Sequence, residues 1–280
     1  MLDTRRSGQG LLTVTRGRSG DAAAAYDEVF TETCGDWLAA GDVPALACGM
    51  VGSAHGWVDA GYRDVPTSLE TTELASVEHR AGRLHVVPGL RLPSTDDRPG
   101  DVIRGEETQV VGVLDLLPDL DEVTVALPGT HSKWVSVRDG RVETFATSMT
   151  GELYALLLEH SILAKTADEP VRDDAAFERG LSASRGLQVE LFGTRALALD
   201  GSLAPSSVPD YVSGLLVGDE VAHLLPRVDG APVVLCGGDD ICRRYATALV
   251  VHDIEPQRLT EDVTVRGLWR TAVSTGLVDA

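Results

Sequence analysis

The chain has 280 residues, 43% of them hydrophobic, which is enough to bury a substantial core in one large domain or two smaller ones. A formal charge of −19 and a pI near 4.6 exclude a general polyanion-binding surface or an anionic membrane as partner, so an anionic small substrate needs local positive groups. No N-terminal segment combines a basic flank, an apolar stretch and a cleavage site, and no apolar run reaches membrane-spanning length, so the expectation is a cytoplasmic protein. The four cysteines, Cys34, Cys48, Cys236 and Cys242, show no CxxC spacing. Cys48 and Cys236 sit in apolar strand-like runs, where buried reduced thiols are the ordinary outcome.

In chain order, residues 2–14 read as a strand closing an opening β-meander. Asp21 to Ala40 reads as an amphipathic helix with Asp21 as N-cap and Tyr26, Val29, Phe30, Thr33 and Trp37 on one face. Pro44 to Cys48 is a buried strand that runs into Gly49-Met-Val-Gly-Ser-Ala-His-Gly-Trp57, where glycines and small polar residues let a ligand approach the backbone or simply make a turn. Thr67 to Arg80 is polar and acidic and reads as a surface helix or connection; Leu84 to Val87 is a strand, and Leu92 to Asp101 a loop. From Glu107 onward Val110, Val111, Leu114 and Leu117 recur at helical spacing. Glu106 and Glu107 therefore fall in a first turn, where the helix dipole favours carboxylates and where a functional acid is equally at home.

Glu122 to Val137 alternates apolar residues, breaks at Pro128-Gly-Thr130 and resumes, which is a hairpin with a phosphate-sized turn. Backbone N–H groups around Gly129, the hydroxyls of Thr130 and Ser132, and the charge of Lys133 can converge on an anion there. A second hairpin turn at Asp139-Gly140 leads to Thr150, read as an N-cap, and to a helix with Leu153, Leu156, Leu157 and His160 on one face. Helices follow over residues 173–185, 188–199 and 208–225. The last carries Gly214 and Gly218 four apart, a spacing for close helix packing. Ala231 to Tyr245 is strand, Gly237-Gly238, acidic cap and helix, which brings backbone N–H groups at a helix start next to glycines that admit a nucleotide or merely turn the chain. Thr260 to Leu277 reads as a capped helix with Leu268, Trp269, Ala272 and Val273 inward. Neither GxGxxG nor GxxxxGK[ST] occurs, so the Rossmann and P-loop readings lose their main support.

Taken together, Arg104-Gly-Glu-Glu-Thr-Gln109, Gly129-Thr-His-Ser-Lys-Trp134, Met149-Thr-Gly-Glu-Leu153 and His160-Ser-Ile-Leu163 resemble the 2-dehydro-3-deoxygalactonokinase family, kinases of the actin, hexokinase and Hsp70 superfamily. Cys48 to Trp57, Val87 to Leu90 and Ser213 to Glu220 resemble the same family, in the same order. Gly105-Glu-Glu-Thr-Gln-Val-Val-Gly112 is also similar to a segment of exopolyphosphatases, a neighbouring branch in which the glutamate matching Glu107 activates the attacking group.

The resemblance implies an α/β, two-lobed ribonuclease-H-like (actin/hexokinase-type) fold with a central cleft. Its lobes would divide near residue 119, with the final helix packing back on the first, and ATP would lie between them. It further implies transfer of a phosphoryl group from ATP, with Mg2+, to the terminal hydroxyl of 2-dehydro-3-deoxy-D-galactonate. Glu107 would be the base and Glu106 its support or a metal carboxylate. Gly129, Thr130, His131, Ser132, Lys133, Gly237 and Gly238 would hold the nucleotide, and Gly49, Met50, Ser53, Trp57, Arg104 and Thr150 the sugar acid. A phosphohydrolase and a catalytically impaired sugar-acid-binding protein stay open beside the kinase, as does a homo-oligomer; nucleic acid and membrane are not expected partners. The family's opening hairpin, with its Asp-x-Gly-Thr-Thr turn, has no counterpart before Asp3, which fits a start placed too far downstream or a truncated copy. Weak or absent activity of the chain as it stands is the expectation from that gap.

Overall fold

The computed structural model describes residues 3–8, 22–41, 43–71, 73–79, 82–183, 186–227, 230–259 and 262–279. Two compact units emerge: unit 1 is Met1–Leu120, Gly140–Thr144 and Asp262–Ala280, and unit 2 is Asp121–Asp139 and Phe145–Glu261.

In unit 1, helix α1 (Ala22–Ala39) buries Ala25 and Tyr26 against Val51 and Trp57. Asp21, expected as its cap, lies outside the described residues. The described part of the expected opening strand, residues 3–8, is not strand. It lies along α1 instead: Arg5 donates two hydrogen bonds to the Asp36 carboxylate at 2.7 and 2.6 Å and stacks 4.4 Å over the Trp37 ring.

Strand β1 (Ala45–Ala47) runs parallel to β5 (Gly82–Val86), which pairs antiparallel with β4 (Ala75–His79). A second sheet sets β2 (Tyr62–Asp64) parallel to β6 (Gly89–Leu92) and β6 antiparallel to β7 (Asp101–Ile103). The segment 67–80, expected to be helical or irregular, forms β3 (Thr67–Ser68) and β4. Its polarity misleads because β4 is an edge strand, where backbone pairing tolerates charged side chains on the outward face. Helix α2 (Glu106–Leu116) crosses α8 (Val263–Ser274) at backbone contact distance. A Cβ on Gly112 would stand 1.9 Å from the Val263 carbonyl oxygen, and one on Gly267 1.9 Å from that of Thr108. The buried residues of α8 are Val263, Gly267, Thr271 and Ala272. Trp269, expected inward, is 59% exposed because this crossing admits only small side chains.

Unit 2 is built on an antiparallel meander, β8 (Glu122–Leu127), β9 (Ser132–Arg138) and β10 (Arg141–Ser148). The β9–β10 turn uses Asp139 and Gly140, both at positive φ, as a two-residue hairpin requires. Strands β11 (Val233–Cys236) and β12 (Gln257–Leu259) add parallel to β8, giving the order β12-β11-β8-β9-β10. Three antiparallel strands followed by two parallel to the first is the ribonuclease-H-like arrangement. The first residues of β10 belong to unit 1, where Arg141 and Val142 pair with Ser68 and Thr67.

Helices α3 (Thr150–His160), α4 (Asp174–Leu181), α5 (Leu187–Leu199), α6 (Val208–Leu224) and α7 (Asp239–Val250) complete unit 2. Its core joins Ala126, Val233 and Leu235 of the sheet to Val217 and Val221 of α6 and Cys242, Tyr245 and Leu249 of α7. Gly214 of α6 serves close packing as its spacing predicts: a Cβ there would stand 2.1 Å from the Phe177 carbonyl oxygen. On α3 the inward residues are Tyr154, Leu157 and Leu158. Leu153 and Leu156, expected on the buried face, are 40% and 44% exposed, because the packed stripe lies one residue further along the helix. None of the four cysteines is bridged in a disulfide, and no described helix is long and apolar enough to cross a membrane.

Candidate active site

Unit 1 gathers a polar cluster around the start of α2. Gly105 is the N-cap at φ 106°, a conformation that favours glycine, and its missing Cβ lets Gly49 approach; a Cβ there would stand 3.1 Å from the Gly49 Cα. Both predicted acids fold back over this cap. Oε2 of Glu106 accepts the Arg104 N–H at 2.9 Å, and Oε2 of Glu107 accepts the Gly105 N–H at 2.6 Å. Thr108 donates its hydroxyl to Oε1 of Glu107 at 3.1 Å.

Glu107 is 2% exposed, and burial pushes its carboxyl up from 4.5 to about 7 against the lowering effect of the N–H groups. A carboxylic acid that titrates near neutrality in a polar cluster is poised for proton transfer. The same surroundings drive the Cys48 thiol up to about 12, by burial first and by the charges of Glu107 and Glu106 after it.

Arg104 precedes the cap. Its Nη2 donates to the Gly61 carbonyl at 2.9 Å and its guanidinium lies 4.2 Å over the Tyr62 ring, while Nε and Nη1 are buried without hydrogen-bond partners. The loop 49–57 wraps beside it: a Cβ on Gly52 would stand 3.1 Å from Nη1. The Ser53 hydroxyl, on the same loop, is also buried without a partner. Unpaired buried donors are costly, and several together beside glycine backbone suit a polar ligand. Met50 is half exposed. Trp57 stacks on Tyr26 with ring centroids 6.1 Å apart and meets Phe30 edge-on at 5.6 Å, so its ring packs the loop against α1.

Unit 2 carries the glycine turn. Gly129, Thr130 and His131 are exposed at its tip, and Gly151 of α3 presses against it, since a Cβ there would stand 2.4 Å from the Gly129 carbonyl oxygen. The Glu152 N–H donates to the Thr130 carbonyl at 2.9 Å, and the Glu152 carboxylate pairs with Nε2 of His131. Lys133 turns back, its Nζ donating to the His131 carbonyl at 2.8 Å, so the ammonium braces the turn it was expected to charge.

Neither α3 nor α7 has a side-chain cap on its N-terminus. The N-cap of α3 is Met149, and Thr150, expected there, is its first helical residue. A cavity of about 220 Å3 opens beside the turn, bounded by Gly129, Thr150, Gly151 and Tyr154, by Ser213, Leu216 and Val217 of α6, and by Asp240, Ile241, Arg244 and Tyr245 of α7. Gly237 borders the turn, with its Cβ position 3.5 Å from the Pro128 carbonyl oxygen, and Gly238 is the N-cap of α7. Two uncapped helix starts and a glycine turn at one cavity are an anion-binding arrangement.

The structure thus brings Glu106, Glu107, Arg104, Gly49 and Ser53 together in unit 1, and Gly129 to Lys133, Thr150, Gly237 and Gly238 together in unit 2. Sequence reading missed Arg244, which lines the cavity and pairs with the buried Asp210 carboxylate, and Glu220, buried on α6. The signal for both is a charged residue at an inward position of an otherwise apolar helical stripe, and Glu220 also closes the family-like segment Ser213 to Glu220.

The 2-keto-3-deoxy-galactonokinase family model matches residues 1–271. The probable 2-dehydro-3-deoxygalactonokinase DgoK1 of Rhizobium meliloti (strain 1021) is 34% identical over 95% of this chain and 87% of its own length. The 2-dehydro-3-deoxygalactonokinase of Escherichia coli (strain K12) is 36% identical over 88% and 81%. Among solved structures, the "Crystal structure of a putative 2-dehydro-3-deoxygalactonokinase protein from Sinorhizobium meliloti" is similar with a TM-score of 0.83 and 31% identity, covering 98% of this chain and 91% of that one.

Proposed function

The chain belongs to the 2-keto-3-deoxy-galactonokinase family, and on that premise we propose that it transfers the γ-phosphoryl group of ATP to the terminal hydroxyl of 2-dehydro-3-deoxy-D-galactonate. The products are the 6-phosphate and ADP. The observation that carries this reading is the company of Glu107 in unit 1: a buried carboxyl pushed up to about 7 at the start of α2, preceded three residues earlier in sequence by Arg104, whose Nε and Nη1 are buried without partners.

In this reading Arg104 takes the sugar-acid carboxylate, since a guanidinium fork matches a carboxylate and unit 1 otherwise leaves its Nε and Nη1 unsatisfied. The loop 49–57 supplies backbone and the Ser53 hydroxyl to the sugar. Glu107, ionised, accepts the proton of the terminal hydroxyl as that oxygen bonds to the γ-phosphorus; the bond to the β-phosphate oxygen breaks and ADP leaves. The Gly129 to Lys133 turn and the first turn of α3 offer N–H groups to the phosphates, and the cavity beside them takes the nucleoside. Among the described residues no group of three or more His, Cys, Asp or Glu could hold a metal ion. Magnesium, which would neutralise charge on the β- and γ-phosphates, would therefore rely on nucleotide oxygens and water, with the partly buried Glu106 as its protein carboxylate. A cytoplasmic setting accords with ATP as donor and with four cysteines outside any disulfide.

The relatives, both named as kinases, favour neither a phosphohydrolase nor a non-catalytic binding protein. An assay of ADP release with and without 2-dehydro-3-deoxy-D-galactonate decides among the three. Sugar-dependent release supports the kinase, sugar-independent release a hydrolase, and sugar binding without release a binding protein.

A further inference from the structure

We infer that Glu220 is a positioning residue for phosphoryl transfer, tying the glycine turn, the start of α3 and α7 into one rigid frame. The inference rests on the reading that this turn holds the nucleotide phosphates. Glu220 lies on α6 and is 4% exposed. Its Oε1 accepts the Trp134 indole N–H at 2.7 Å; its Oε2 accepts the Tyr245 hydroxyl at 2.7 Å and the Thr150 hydroxyl. Each donor comes from a different element: Trp134 from β9 just after the turn, Thr150 from the first position of α3, and Tyr245 from α7.

The proton directions follow from counting. A carboxylate only accepts, and a hydroxyl has one proton to give. Tyr245 and Thr150 both spend theirs on Glu220. Ser132, 2.8 Å from the Tyr245 oxygen, must then donate to it, and Ser148, 2.8 Å from the Thr150 oxygen, must donate there. Two chains of hydroxyls run inward to one carboxylate, one from the turn (Ser132 to Tyr245) and one from the end of β10 (Ser148 to Thr150). Such chains polarise one another and fix rotamers at every link. The Ser132 and Thr150 protons are committed to this frame, so the phosphates depend on backbone N–H groups whose aim the frame sets. Buried charge next to Tyr245 has a cost: burial and the Glu220 charge hold its phenol well above 10. An apolar residue at 220 would stabilise the core at no such cost but could bind none of the three donors.

The test is Glu220→Gln, which keeps shape but offers one acceptor oxygen to three donors and turns an NH2 toward one of them. Steady-state kinetics with ATP and 2-dehydro-3-deoxy-D-galactonate should show the KM for ATP raised about tenfold or more with the KM for the sugar acid within about twofold. Val221→Ala, which opens a cavity in the core cluster shared with Trp134 and Tyr245 but removes none of the hydrogen-bonding groups, should lower the Tm comparably and leave the KM for ATP unchanged. Thr150→Val should share the ATP defect, and Thr150→Ser should restore normal values.

An unchanged KM for ATP in Glu220→Gln, or an equal rise in Val221→Ala at the same loss of Tm, overturns the inference. If Glu220→Gln does not fold, the Thr150 pair decides: Val and Ser variants with the same KM for ATP overturn it. A wild-type protein that binds no ATP overturns instead the reading of the turn as the phosphate site.

Discussion

Replacing Glu107 by Gln should cost the protein its turnover and repay it in stability at alkaline pH. The side chain is almost wholly buried, and its carboxyl rises from an ordinary 4.5 to about 7. The folded state therefore holds a proton that the unfolded state releases between these values. The associated stability is fully present below about pH 4.5 and is lost as pH rises through 7. A displacement of that size corresponds to about 3 kcal/mol. Glutamine is nearly isosteric and fits the same partners: its carbonyl can accept the Gly105 N–H, and its NH2 can donate to the Thr108 oxygen once that hydroxyl rotates. The variant thus escapes the penalty of ionising a buried group.

Urea unfolding at pH 5 and pH 8 should show wild-type stability falling across the range while Glu107→Gln stays level, the gap opening by about 2 to 3 kcal/mol. Turnover of the variant should drop by about two to four orders of magnitude, because a neutral amide cannot take the hydroxyl proton. The wild-type rate should climb with pH up to about 7, and the residual rate of the variant should not. Wild-type turnover in Glu107→Gln would refute the base assignment. A variant less stable than wild type at pH 8 would refute the ionisation reasoning and leave Glu107 as a helix cap.

Arg104→Ala should raise the KM for the sugar acid by about ten- to a hundredfold with a smaller change in kcat, as expected for a lost charge-assisted fork; an unchanged KM removes Arg104 from the substrate site. Lys133→Ala should weaken ATP binding because the turn loses both a positive charge and the brace on the His131 carbonyl, and identical affinity by titration calorimetry would show neither matters. Gly267→Ala should destabilise the protein by about 3 kcal/mol or more, since its methyl would meet the Thr108 carbonyl; denaturant curves that coincide with wild type would contradict the helix crossing. Cys48 is only partly buried, yet its thiol held near 12 should resist alkylation of the native protein at pH 8, and rapid labelling by mass spectrometry would show the thiol is not so perturbed.

The sequence alone determined most of what local physics controls. The alternation through Glu122 to Val137 required a hairpin, Asp139-Gly140 its two-residue turn, and the recurrence of Val110, Val111 and Leu114 a helix whose first turn holds both glutamates. Its limits appear where a residue's surroundings come from elsewhere in the chain. The strand at Ala75–His79 was hidden because an edge position forgives polar side chains, and Trp269 was misplaced because two helices meet at glycines and exclude it.

The candidate site divides along the same line. That Glu107 stands at a helix start is written in its neighbours, but that it titrates near 7 depends on burial by groups distant in sequence. Thr150 could be placed at a helix start; that its proton goes to Glu220, 70 residues on, could not. Residue type and spacing fix which groups are present and how the backbone presents them over a few turns. Solvent exclusion and the choice of hydrogen-bond partner are collective, and only the packed tertiary structure decides them, because burial and pairing depend on contacts between segments that no local pattern specifies.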